Sequence, residues 1–101
     1  MKEERFRGLL GLAIRSRQAV LGTDASRIMI RSGNCGVVLM DDETGPNTRK
    51  KIRDLCLQSE IPLKTVPERT IEDATGKPNV VMAIRKGPFA ESVLREYDAQ
   101  I

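Results

Sequence analysis

The sequence predicts an α/β fold: a three-layer α-β-α sandwich around a central mixed four-stranded sheet, in a single domain over residues 1–101. Three observations carry that expectation. Helical and extended hydrophobic patterns alternate along the whole chain, with no internal repeat, low-complexity tract or linker. Two continuous apolar runs, residues 35–40 and 79–85, have the length and branching of strands buried on both faces, and so of the middle of a sheet. Finally, 101 residues at 40% apolar composition suffice for one core, since a chain of this size buries roughly two thirds of its unfolded surface.

Each element has its own signal. Phe6, Leu9, Leu10, Ala13 and Ile14 recur at helical spacing and predict an amphipathic helix over about residues 3–16. Ala19, Val20 and Leu21 form a short extended run closed by Gly22. Thr23 or Asp24 is positioned to cap a second helix, and Gly33 suits the place just past its end. The apolar run at 35–40 follows, bounded by Gly33-Asn34 and Asp41-Asp42. After the Gly45 break, Pro46 fits the first turn of a third helix. Ile52, Leu55, Cys56 and Ser59 form its inner face, with Lys50 and Asp54 as an outer i, i+4 pair. Residues 61–66 read as a strand limited at its start by Pro62. Residues 67–74 hold one or two helical turns before Thr75-Gly76-Lys77-Pro78, and residues 79–85 the last strand. Phe89, Val93, Leu94 and Tyr97 give the closing helix its apolar face, with Glu91 and Arg95 paired outside.

Composition removes several function classes. No apolar run approaches the ~20 residues of a membrane span. The start, Met1-Lys2-Glu3-Glu4-Arg5, carries both charges with no apolar run behind it, so no signal peptide is expected. Cys35 and Cys56 then read as reduced intracellular thiols packed in the core. The chain has no histidine, which removes Ser/His and Cys/His nucleophile pairs and most zinc sites. Two Phe, one Tyr and no Trp argue against stacking nucleic-acid bases on a row of aromatics.

Charge is unevenly spread. Residues 1–31 hold seven basic groups (Lys2, Arg5, Arg7, Arg15, Arg17, Arg27, Arg31) against Glu3, Glu4 and Asp24, a net +4. The other seventy residues carry ten basic and eleven acidic groups. Most of the basic residues are arginine, whose planar fork suits phosphate oxygens and guanine edges. A basic third on a nearly neutral body points to a localised anionic partner.

Three segments bear on chemistry. Asp41-Asp42-Glu43 follows a buried strand, and with Lys86 it could form a magnesium-assisted phosphoryl site. No second strand-end aspartate completes such a site, and a solvated loop complementing the next helix's dipole explains the acids more simply. Gly76-Lys77 is not a nucleotide loop, because Ile71 stands where that motif needs glycine and Pro78 where it needs Ser or Thr. The segment from Ile14 to Arg27 is more informative. A helix ends in Arg15 and Arg17, a strand turns at Gly22, and a new helix opens with Thr23 and Asp24. Helix amino ends offer free N–H groups and a positive dipole to phosphate.

These residues resemble a known family. Gly8-Leu9-Leu10-Gly11-Leu12-Ala13-Ile14-Arg15-Ser16-Arg17, then Val20-Leu21-Gly22-Thr23, then Gly33 and the strand at 37–40 with Asp41-Asp42, resemble the ribosomal L-seven-Ae family of kink-turn RNA-binding proteins, in particular its small bacterial branch of YlxQ-like proteins. Asn47-Thr48-Arg49-Lys50-Lys51, Ile61-Pro62, Gly76-Lys77 and the last apolar strand continue the similarity in register. The resemblance implies that Gly22, Thr23, Asp24, Ser26 and Arg27 enter the RNA major groove at tandem G·A pairs, and that a loop from Ile71 through Thr75 to Gly76 covers flipped bases. Arg15, Arg17, Lys50 and Lys51 would add phosphate contacts. The family pattern has Asn, Glu and Lys where this chain has Asp24, Ala25 and Ile28, and Leu-Gly where it has Glu72-Asp73. Each lost base-edge contact corresponds to about 1–3 kcal/mol of discrimination.

The expectation is therefore a non-enzymatic, cytoplasmic, monomeric RNA-binding protein without cofactor or metal. Its expected partner is a structured, kink-turn-like RNA near the ribosome, with ribosome-associated proteins as further candidates. The alternative is a protein-interaction module on the same fold that has lost standard kink-turn recognition, favoured by Glu72-Asp73 and the missing Lys.

Overall fold

The computed structural model describes residues 2–99, with side chains from residue 4 onward. Met1, at the charged start, lies outside the described residues, as do the side chains of Lys2 and Glu3 that enter the charge tally. The elements run α1 (Lys2–Arg15), β1 (Ala19–Leu21), α2 (Thr23–Arg31), β2 (Cys35–Asp41), α3 (Pro46–Ser59), β3 (Leu63–Val66), α4 (Thr70–Thr75), β4 (Val81–Arg85) and α5 (Pro88–Ala99). Every element expected from the sequence is present, within a few residues at each boundary.

The sheet order is β1-β4-β2-β3. β2 and β3 are parallel, whereas β4 runs antiparallel to both β1 and β2. β1, β2 and β3 thus point one way and β4 alone points back. The sheet has an upper end, where β1, β2 and β3 finish and β4 begins, and a lower end with the reverse. The two apolar runs are the central strands, as their continuous hydrophobicity requires. The edges are short, with three residues in β1 and four in β3.

Two cores sandwich the sheet. On one face Phe6, Leu10 and Ala13 of α1 and Ala90 and Val93 of α5 meet Val37, Leu39, Met82 and Ile84. On the other, Met29 and Ile30 of α2 and Ile52 and Cys56 of α3 meet Val38, Met40, Val81 and Ala83. A register shift between Cys35 and Val37 turns Cys35 onto the α2/α3 face, out of step with Val37 and Leu39. Gly36 sits in that irregularity, where an added Cβ would stand 2.7 Å from Ala90 Cβ and 3.0 Å from Lys86 Cα. Both thiols are buried and free. Loss of hydration pushes both thiols upward, Cys56 to about 11, so neither is a thiolate near neutral pH.

Local detail corrects four expectations. Gly22, not Thr23 or Asp24, is the N-cap of α2, and no side chain caps it. Lys50 and Asp54 form no ion pair within 4 Å among the described residues, and Arg95 donates to Ser92 Oγ at 3.3 Å instead of meeting Glu91. Long exposed side chains gain too little from such pairs to be held in one geometry. Ser59 is exposed, outside the inner face of α3. No helix among the described residues is long and apolar enough to cross a membrane.

Candidate functional site

The upper end gathers the starts of α2 and α3, the turn after β2, all of α4 and the loop into β4. At its corner Gly22 adopts φ 98, ψ 159, a conformation that L side chains reach only under strain. Its amide donates to Val81 O at 2.8 Å, tying the corner to β4, and its carbonyl accepts the first helical bond, from Ser26 N at 3.1 Å. The amides of Thr23, Asp24 and Ala25 precede that first bond and have no intrahelical acceptor. With no side-chain cap, they and the positive dipole end are left open at the surface, chemistry that suits an anion. Asn79 lies against the corner, its Oδ1 being 3.4 Å from where a Gly22 Cβ would stand.

α2 projects one ridge outward from this corner. Asp24, Arg27, Ile28 and Arg31 line a concavity of about 240 Å3. Asp24 is 95% exposed at the side chain, and its carboxylate stands 3.9 Å from the Arg27 guanidinium. Ile28, at 71% exposure, is an apolar side chain between two arginines.

Several residues expected at the site lie elsewhere. Ser26 has zero exposure, turned inward with Met29 and Ile30, and its hydroxyl has no hydrogen-bond partner among the described residues. Ile71 also has zero exposure and belongs to the core against α1. It therefore has no surface to offer a base. Residues 70–75 are a helix packed inward rather than an apolar loop, and the exposed apolar side chain in the loop into β4 is Val80, 39% exposed, beside Asn79. Sequence reasoning misses Asn79 and Val80. Their available signal is position, directly before the strand that pairs with the glycine corner.

Thr75 spends its hydroxyl on Ile71 O at 2.7 Å and accepts from Lys77 N at 3.3 Å, while Gly76 ends α4 in a left-handed conformation. Lys50 and Lys51 stand exposed in the second turn of α3, which begins at the same end of the sheet as α2. The Arg15 guanidinium lies beside the carboxyl end of α4. A Cβ placed on Gly11 would be 3.1 Å from its Nη1 and 2.8 Å from Ala74 O. Arg17 is separated from the corner by the length of β1, at the lower end.

The acidic turn is structural. The Asp41 carboxylate, 4% exposed, accepts from Glu43 N at 2.7 Å and from Arg69 N at 3.0 Å, joining β2 to the start of α4. Because β4 runs antiparallel to β2, Lys86 emerges at the end of the sheet opposite Asp41. The phosphoryl-transfer constellation is thus never assembled. Among the described residues no group of three or more acids and thiols could hold a metal ion.

A sandwich of this order with a glycine-turned, uncapped helix start defines a recognisable class. The chain belongs to the ribosomal protein L7Ae/L30e/S12e/Gadd45 family, whose model matches residues 4–94. Among curated proteins it is 35% identical over 92 residues to the RNA-binding protein YlxQ of Bacillus subtilis, covering 89% of this chain and 92% of that one. It is 30% identical over 84 residues to the RNA-binding protein YlxQ of Enterococcus faecium, covering 82% of each. A solved structure of a protein of unknown function from Bacillus halodurans superposes with TM-score 0.86 at 30% identity, over 92% of this chain and 96% of that one. The Giardia lamblia 15.5kD RNA binding protein shares the fold, with TM-score 0.77 at 12% identity over 100% of this chain and 92% of its own. Family and relatives agree with the expectation of a protein without catalytic chemistry.

Proposed function

We propose that this chain is a non-enzymatic RNA-binding protein that recognises sharply bent, kink-turn-like RNA, acting as a cytoplasmic monomer in the neighbourhood of the ribosome. One observation carries the reading: the start of α2 is an uncapped set of amides at a glycine corner, where a phosphate or base edge approaches backbone without meeting a side chain. Arg27, Lys50 and Lys51 supply cations around it, Thr23 a hydroxyl, and Asp24 an acceptor for base amino groups. The RNA-binding names of the bacterial relatives support the partner class.

A gel-shift titration against a kink-turn duplex, beside the same duplex with its G·A pairs changed to Watson–Crick pairs, tests the reading. The expected result is preference for the kink-turn by about ten-fold or more, the worth of one base-edge contact. Equal weak binding to both would leave only sequence-independent electrostatics. The protein-interaction alternative draws on the acid-rich cleft of Asp41, Glu43, Glu68 and Glu72 beside Asn79 and Val80. It predicts partner binding whose affinity Arg27→Glu leaves unchanged.

A further inference from the structure

We infer that the lower end of the sheet carries a second RNA-contact surface, formed by Arg17, Arg31, Arg85 and Lys86, that holds the sugar-phosphate backbone of another segment of the same RNA. The inference rests on the RNA-binding reading above and extends it to the opposite end of the molecule.

Backbone hydrogen bonds bring the four cations together. Arg85 N donates to Gln18 O at 2.7 Å, fixing the end of β4 against the turn that carries Arg17. Lys86 N donates to Asn34 O at 2.8 Å, fixing the same end against the turn that follows Arg31. Three turns distant in sequence thus converge, each bearing exposed positive charge.

None of the four side chains has an ion-pair or hydrogen-bond partner among the described residues. The acids of this end are Glu60, which shares a concavity of about 330 Å3 with Lys86, and Glu91 in the first turn of α5. Neither is within 4 Å of a cation. By contrast, three arginines at the upper end are engaged, Arg27 with Asp24, Arg69 with Glu72 and Arg49 with the carbonyls of Asp42 and Thr44, while the lysines there stand exposed. An unpaired cation can neutralise a phosphate and release its counterion without first breaking an internal ion pair.

The spacing suits one RNA. The three-residue strand β1, Ala19–Leu21, separates Gln18 from Gly22 by four residue steps, at most about 13 Å at the rise of a strand. That is about four nucleotide steps along a duplex strand at 3.4 Å each. An RNA seated on the α2 start can therefore lay its adjoining arm over the lower patch.

The test compares three proteins on two RNAs. The proteins are the wild type, the variant Arg17→Asn/Arg85→Gln/Lys86→Gln, and the control Arg53→Gln/Arg95→Gln/Lys64→Gln, which has the same net charge and lies away from both ends' proposed contacts. Asn at position 17 tolerates the left-handed backbone there, φ 62, and thermal melts check that both variants stay folded. The RNAs are a kink-turn with long arms and a plain duplex of equal length, each titrated at several salt concentrations.

On the kink-turn the patch variant should bind about ten-fold or more weakly at low salt. Its slope of log affinity against log salt should be smaller by about 0.7–0.9 for each phosphate contact removed. The control should follow the wild type. Equal losses in the two variants would reduce the effect to net charge and overturn the second surface, as would an unchanged slope in the patch variant. If the wild type binds both RNAs alike, the kink-turn reading fails while the slope comparison on the duplex still decides the patch. Wild-type binding to neither RNA overturns both.

Discussion

At the upper end of the sheet the charged loops are folded back into the protein, whereas at the lower end they are left open. Asp41 gives its carboxylate to two amides, Arg69 meets Glu72, and Arg49 reaches two carbonyls. What remains available at the corner itself is backbone, the open amides beginning α2, with Lys50 and Lys51 exposed nearby. At the lower end the backbone is spoken for, since Arg85 N and Lys86 N are donated across the turns, and the side chains are what stay free. The difference teaches that the two ends of one sheet leave different groups open, backbone amides at one and cationic side chains at the other. In contacts with a polyanion, backbone amides fix register and exposed cations give salt-sensitive attraction.

Three substitutions sharpen or break that comparison. The largest effect is expected from Ile71→Ala, which empties a core position at the upper end and should cost about 2–5 kcal/mol of stability. Chemical denaturation measures it. A stable variant with lost RNA affinity would instead put Ile71 in contact with RNA. Next, Gly36→Ala forces a methyl against Ala90 and the Lys86 backbone, overpacking worth about 1–3 kcal/mol. A lowered melting temperature is expected, and an unchanged one would mean the lower turns yield freely. Smallest, Ser26→Ala removes a buried hydroxyl without a partner and should raise stability by about 1 kcal/mol, at the low end of the cost of an unsatisfied group. RNA affinity should not change. A destabilised Ser26→Ala protein would show that the hydroxyl is bonded after all.

The elements themselves were legible because each writes its period locally: continuous apolar strands at 35–40 and 79–85, helical stripes through Leu10 and Ile52. The glycine corner was legible for the same reason. Its cap was not, because Thr23 and Asp24 are good capping residues and only the backbone angle of Gly22 moves the helix start one place earlier. Ser26 was available to sequence reasoning, since 26, 29 and 30 share one helical face and Met29 and Ile30 are apolar. Ile71 gave a weaker signal, a lone apolar residue in a polar stretch. What no local pattern carries is the reversal of β4. That reversal sends Lys86 away from Asp41, and the three turns at the lower end meet around Arg17 only once the strands have paired.

The brevity of the sheet's margins also limits what can add to it. A neighbouring polypeptide seeking to zip onto β1 finds three residues, and on β3 four, with Lys64 among them and Pro62 and Pro67 just outside. Stubs of that kind, guarded by lysine and proline, are poor templates for cross-chain ladders. A domain crowded beside its own copies thus keeps its backbone from seeding fibrillar growth.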